Sequence, residues 1–105
     1  DLRGLDLRGV DLTHARMDNV DLSGSNLEGA QLEYASLQGV MAVSTSFLAA
    51  GMYKADLSSG TFTNATFAYA DLRISDLTFA SIDFADFTSA DLRHANAHNL
   101  GLLGS

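Results

Sequence analysis

Every fifth residue of this chain is large and apolar. Counting in fives from Leu2 to Leu102 passes through Leu7, Leu22, Phe47, Phe67 and Leu92, and large aliphatic or aromatic side chains fill 19 of the 21 steps. Leu, Ile, Val, Met and Phe make up 31 of the 105 residues, so an unpatterned chain would place about six there. We call this the central position. Two residues before it the chain is small, and 11 of the 15 alanines fall at that small position. Between the two lies an acid position, often Asp or Asn, as at Asp6, Asp11, Asp21, Asn26, Asp71, Asp76, Asp86 and Asp91. Two residues after the central position lies a corner position, which holds six of the nine glycines.

A period of five fits neither regular element. On an α-helix a step of five advances 140°, so the leucines would spiral around the cylinder and form no stripe. On a continuous strand an odd step sends successive leucines to opposite faces. Burying every fifth residue therefore requires the chain to turn once per repeat. Glycine suits such a corner because it tolerates positive φ. Four right-angled corners close a square, so one coil takes 20 residues and stacks on the next through parallel ladders about 4.8 Å apart.

The pattern resembles that of the pentapeptide-repeat proteins: a small residue, then Asp or Asn, then Leu or Phe, then two variable positions. Ala55-Asp56-Leu57, Ala70-Asp71-Leu72 and Ala90-Asp91-Leu92 match it directly, and the resemblance runs through the whole chain. It implies an all-β fold, a right-handed quadrilateral parallel β-helix (a solenoid) of about five coils. Residues 1–105 read as one such domain. Asp1 in place of an initiator Met reads as part of a longer or processed chain.

Residues 20 apart share a column. Phe47, Phe67 and Phe87 are thus expected to form an aromatic ladder, with Phe62 on the adjoining face. Every central residue is expected to point inward, with Ala42 and Ala97 as the candidate exceptions. The repeat Met41-Ala42-Val43-Ser44-Thr45 departs furthest from the pattern, and a widened corner or a notch is expected there. Outside, Asp71, Arg73, Asp91 and Arg93 should form a two-by-two patch with Tyr53 beside Arg73. Asp56 over Asp76, and Asp1 over Asp21, place like charges one rung apart, which predicts raised carboxyl pKa values. Four consecutive corners hold Tyr69, Ile74, Phe79 and Phe84, where most other repeats hold Gly or polar residues. This apolar belt is the candidate partner surface.

Chemistry-bearing motifs are not visible. The chain has no Cys, and no HExxH, GxGxxG, Walker A or GxSxG pattern. His14 and His94 share a corner column but stand about 19 Å apart at the ladder spacing. No catalytic residue, cofactor site or metal site is therefore assigned, and an enzyme is not expected. Ser25-Asn26-Leu27-Glu28 mimics a helix capping box, which the period of five overrides. Thr61 and Thr63 are not repeated in neighbouring coils, so a threonine array is not expected. Asn64-Ala65-Thr66 is an N-glycosylation sequon, meaningful only in a secretory pathway. A formal charge of −7 opposes direct binding to nucleic acid. No apolar run spans a bilayer, so membrane insertion is not expected. Nothing in the chain assigns a compartment.

The functional expectation is a non-enzymatic interaction module, a rigid rod that docks a protein partner. The resemblance also implies an alternative, since some members of the family mimic an acidic duplex and bind DNA gyrase, giving quinolone resistance. Charge weighs against it: B-DNA about 25 Å long carries about 14 to 15 charges, against −7 here. Leu100, Leu102 and Leu103, in a turn without charge, mark a candidate end-to-end homodimer interface or a point of continuation into further chain.

Two outcomes are expected. Phe67→Ala should cost ~3–5 kcal/mol, the range for truncating a core Phe, whereas Phe79→Ala at a corner should cost far less. Thermal denaturation of both compares them, and equal losses would mean that inside and outside are exchanged. Leu102→Asp with Leu103→Lys should abolish any dimer in sedimentation over a wide concentration range.

Overall fold

The computed structural model describes residues 1–98. Its backbone repeats every five residues, and each acid-position residue forms a parallel bridge with the residue 20 positions later, from Asp6↔Asn26 to Asp76↔Asn96. The chain is a right-handed quadrilateral β-helix in which coils of 20 residues stack into a short rod, 29 × 24 × 22 Å. Each coil has four sides. The first face carries the central residues Leu2, Leu22, Ala42, Phe62 and Ile82. The second carries Leu7 to Phe87, the third Leu12 to Leu92 and the fourth Met17 to Ala97.

Backbone hydrogen bonding explains both the corners and the acid position. In an interior repeat such as 26–30, four N–H groups find carbonyls. Asn26 N–H donates to Leu5 C=O in the coil before, and Leu27 and Gly29 N–H donate to Ser46 and Leu48 C=O in the coil after. Ala30 N–H closes the corner on Leu27 C=O at 2.9 Å. That closure requires a positive φ at the corner position, the signature of a type II turn. Every corner from Gly4 to His94 has it, with φ between 55° and 74°, whether or not the residue is Gly. The cost is roughly 1–2 kcal/mol for each L-residue held there. Four hydrogen bonds per repeat, each worth roughly 0.5–1.5 kcal/mol net, outweigh it.

The fifth N–H belongs to the residue just after the central one, and the ladder leaves it without a carbonyl. The acid position supplies the acceptor. Asp56 Oδ1 takes Ser58 N–H at 3.0 Å, Asp76 Oδ1 takes Thr78 N–H at 2.9 Å and Asn26 Oδ1 takes Glu28 N–H at 3.0 Å. Where the acid position holds Ser36 or Met41, the coil below substitutes: Asp18 Oδ1 accepts from Gln38 N–H and Ser23 Oγ from Val43 N–H. Asp or Asn at the acid position thus serves the backbone, and the repeats with Arg16, Gln31, Gly51, Thr61 or Ser81 there leave that N–H without an acceptor among the described residues.

These bonds overturn the expectation of raised pKa values. Arg93, through its side chain and then its N–H, holds the Asp91 carboxyl down at about 2. Backbone N–H of Ser23 lowers Asp21. At Asp56, burial pushes the carboxyl up, but the Ser58 hydroxyl and N–H and the Gln38 amide together pull it further down. Repulsion is real but subordinate: at Asp71 the pull of Arg73 comes first and the push of Asp91 last.

The interior is filled as the column reading predicts. Phe47, Phe67 and Phe87 stack with ring centroids 5.0 and 4.9 Å apart and planes within 5°. Phe62 meets Phe47 and Phe67 edge-on at 6.1 and 5.4 Å. Small residues are buried beside them because the space is taken. A methyl group on Gly60 would stand 2.6 Å from the Phe62 ring. Ala42 is fully buried, so it is not an exception, and no notch opens at its repeat: no cavity is found among the described residues. Thr45 is buried too, with its hydroxyl donating to Leu22 C=O at 2.8 Å. Burial does weaken in the last described coil, where Phe87 is half-buried and Leu92 is 40% exposed, since a coil is covered only by its neighbours.

If the acid position works as an acceptor, charge matters less than the oxygen. Asp76→Asn should leave stability unchanged, while Asp76→Ala should cost about 1 kcal/mol, the scale of a lost cap. Chemical denaturation separates the two. The depressed carboxyls also set an acid limit. A carboxyl whose folded value lies below its unfolded value of about 3.9 stabilises the fold above that pH and ceases to as pH falls through the folded value. The melting temperature should hold from pH 7 to about 5 and fall between about 4 and 2, the latter being the value for Asp91.

Candidate functional site: the exposed corners and the third face

The belt is where the sequence places it. Tyr69, Ile74, Phe79 and Phe84 have φ of 60°, 59°, 60° and 59° and are 65%, 43%, 63% and 55% exposed. A positive φ is uncommon outside Gly and Asn, and a genuine outlier for a β-branched residue such as Ile74. Successive corners lie on the four edges of the square, so the belt encircles the rod. No ring contact joins Tyr69, Phe79 and Phe84 to one another among the described residues; the ring pairs lie elsewhere. Leu100, Leu102 and Leu103 fall outside the described residues.

The third face carries the expected four-charge patch. Arg73 Nη2 lies 2.8 Å from Asp71 and Arg93 Nη2 2.7 Å from Asp91, and Arg73 Nε reaches across the rung to Asp91 at 3.9 Å. The local chemistry is a repeated Asp-Leu-Arg. One carboxylate accepts the Arg's own N–H and also its guanidinium, and the same arrangement recurs at Asp1/Arg3 and Asp6/Arg8. These pairs are exposed and worth little individually.

Below the patch runs a feature that the sequence reading did not assemble. The Arg73 guanidinium sits 5.1 Å over the Tyr53 ring. Tyr34 meets Tyr53 edge-on at 5.9 Å and stacks on His14 at 4.9 Å. The Lys54 ammonium stands 5.8 Å from the Tyr34 ring and 5.7 Å from that of Tyr53. The signal was there: His14, Tyr34, Lys54, Ile74 and His94 form one corner column at steps of 20. Read one repeat at a time, those residues look unrelated. Among the described residues no three His, Asp or Glu side chains stand close enough to share a metal ion. No described helix is long and apolar enough to cross a membrane. What the surface offers is apolar, aromatic and ionic contact on a rigid scaffold.

Comparison with known proteins agrees with this geometry. The family model for pentapeptide repeats matches in eight copies, over residues 6–40, 55–93 and 70–100. A pentapeptide repeat protein from the Arabidopsis thaliana thylakoid lumen is 26% identical over 94% of this chain and 66% of its own, with a TM-score of 0.62. HetL, a pentapeptide repeat protein involved in heterocyst differentiation regulation in the cyanobacterium Nostoc sp. strain PCC 7120, is 23% identical over 90% of this chain and 60% of its own, with a TM-score of 0.47. QnrB1, a plasmid-mediated fluoroquinolone resistance protein, is 19% identical over 92% of this chain and 56% of its own, with a TM-score of 0.45. The chain thus spans less than two thirds of the length of those solved structures. No curated protein matches the sequence. With the five-residue period, the 20-residue ladder and the family model covering more than half its length, the chain belongs to the pentapeptide-repeat family.

Proposed function

We propose that this chain is a non-enzymatic docking rod whose protein partner seats on the belt of Tyr69, Ile74, Phe79 and Phe84. One observation carries the reading: large apolar side chains are held in solvent at backbone positions that Gly or Asn would occupy at less cost. Exposure returns no hydrophobic stabilisation, and the left-handed backbone subtracts roughly 1–2 kcal/mol per residue. Rings and aliphatic groups raised on a rigid frame are what a partner desolvates on binding. The ladder supports the same reading, since it fixes the backbone beneath each side chain and so removes the main-chain ordering cost at association.

The duplex-mimic alternative has less support. Asp1, Asp6, Asp71 and Asp91 are each paired with an Arg at 2.7–2.9 Å, which neutralises carboxylates that would have to stand in for phosphates.

Replacing Ile74, Phe79 and Phe84 together by Asn, which tolerates positive φ, tests the proposal. The melting temperature should hold or rise, and a partner captured by the unaltered chain from extracts of its source should be lost. A marked fall in melting temperature would make the side chains structural, and equal capture of the same partner would move docking away from the belt.

A further inference from the structure

In five repeats the N–H just after the central residue, at Asp18, Glu33, Tyr53, Thr63 and Asp83, has no acceptor among the described residues, and one of the five, on the third face, has no side chain at all at its acid position. That position is Gly51, and the N–H two residues on is that of Tyr53. Two columns show how the coil below substitutes in such a case, through Asp18 and Ser23. Here the corresponding residue is Glu33. Its carboxylate lies over Gly51, in the space a Cβ would occupy, yet it takes no hydrogen bond and no ion pair among the described residues. One methylene longer than Asp18, it fills the space without serving the N–H. The corner of the same repeat is Lys54. Its ammonium faces the Tyr34 and Tyr53 rings, and no carboxylate lies within ion-pair distance among the described residues.

The molecule itself shows what such a position binds. At Asp1, Asp6, Asp71 and Asp91 a carboxylate accepts the N–H two residues on, together with a neighbouring cation. We infer that the Gly51 position is a docking point for a carboxylate supplied from outside, the Asp or Glu side chain of an acidic peptide segment. It displaces Glu33, accepts Tyr53 N–H and pairs with Lys54, while the Tyr34 ring covers its hydrocarbon stem. The overall charge of −7 does not prevent this. At physiological ionic strength charges beyond roughly 8 Å are screened. Of the charged side chains in this column, Glu33 moves aside and Asp71, one rung above Gly51, is paired with Arg73. The inference goes beyond the belt and does not depend on it.

The probe is a blocked Ala-Asp-Ala peptide titrated into the whole chain, followed by amide NMR. The Tyr53 and Lys54 amides should shift saturably. Glu33→Gln, which removes the competing charge, should tighten binding. Lys54→Gln should weaken it by up to about fivefold, the scale of an exposed ion pair. Gly51→Asp should abolish the Tyr53 shift and raise the melting temperature, because the chain then supplies its own carboxylate. The inference fails if the Tyr53 amide stays still in both the unaltered chain and Glu33→Gln. It fails equally if Gly51→Asp binds the peptide as before or melts lower. The belt variant Ile74→Asn/Phe79→Asn/Phe84→Asn should titrate like the unaltered chain, which keeps the two sites' tests separate.

Discussion

Everything in this structure depends on one hydrogen-bond rule: a residue pairs with the coil 20 positions away rather than with its own neighbours in sequence. Each side of the square is only a few residues long and bonds to the coils before and after it. The ladder exists only when coils stack. Stability is therefore a property of neighbouring coils, and each coil protects the apolar cross-section of the next. The fall in burial from Leu72 to Leu92, two residues of one column, shows the dependence directly.

The same rule dictates chemistry at positions that never touch the core. Closing a corner in five residues forces a positive φ, and the fold imposes it on Ile74, Phe79 and Lys54 as firmly as on Gly4. Satisfying four of five N–H groups leaves one over, and where the acid position is Asp or Asn that residue answers it. The acidity of the chain thus has a structural component. The carboxylates' depressed pKa values follow from hydrogen bonds with the residue two positions on, through its hydroxyl and then its N–H at Asp11 and Asp86, and through its N–H first at Asp21.

With the frame so determined, large side chains project without disturbing the ladder at the residue after the central one and at the corner. The apolar belt and the tyrosine-lysine-arginine strip both lie at those positions. A scaffold that holds side chains in a rigid square lattice is suited to presenting a surface.

The five-residue period alone determined the coil, the inward ladder of Phe47, Phe67 and Phe87, the burial of the alanines and the edges on which Tyr69, Ile74, Phe79 and Phe84 stand. All follow from geometry that is linear in residue number. The ion pairs of Asp71, Arg73, Asp91 and Arg93 were legible for the same reason, being neighbours at steps of 2 and 18. What the tertiary structure alone decided involves directions and competing bonds. Repulsion between stacked aspartates was overestimated because the sequence does not show the N–H each carboxylate accepts. Ala42 leaves no notch because rings from other faces fill the space around it. The Tyr34, Tyr53 and Lys54 cluster, and the Glu33 carboxylate lying over Gly51, depend on how long side chains lean across rungs. A one-dimensional period says where a side chain starts; only the packed coils settle where its far end comes to rest.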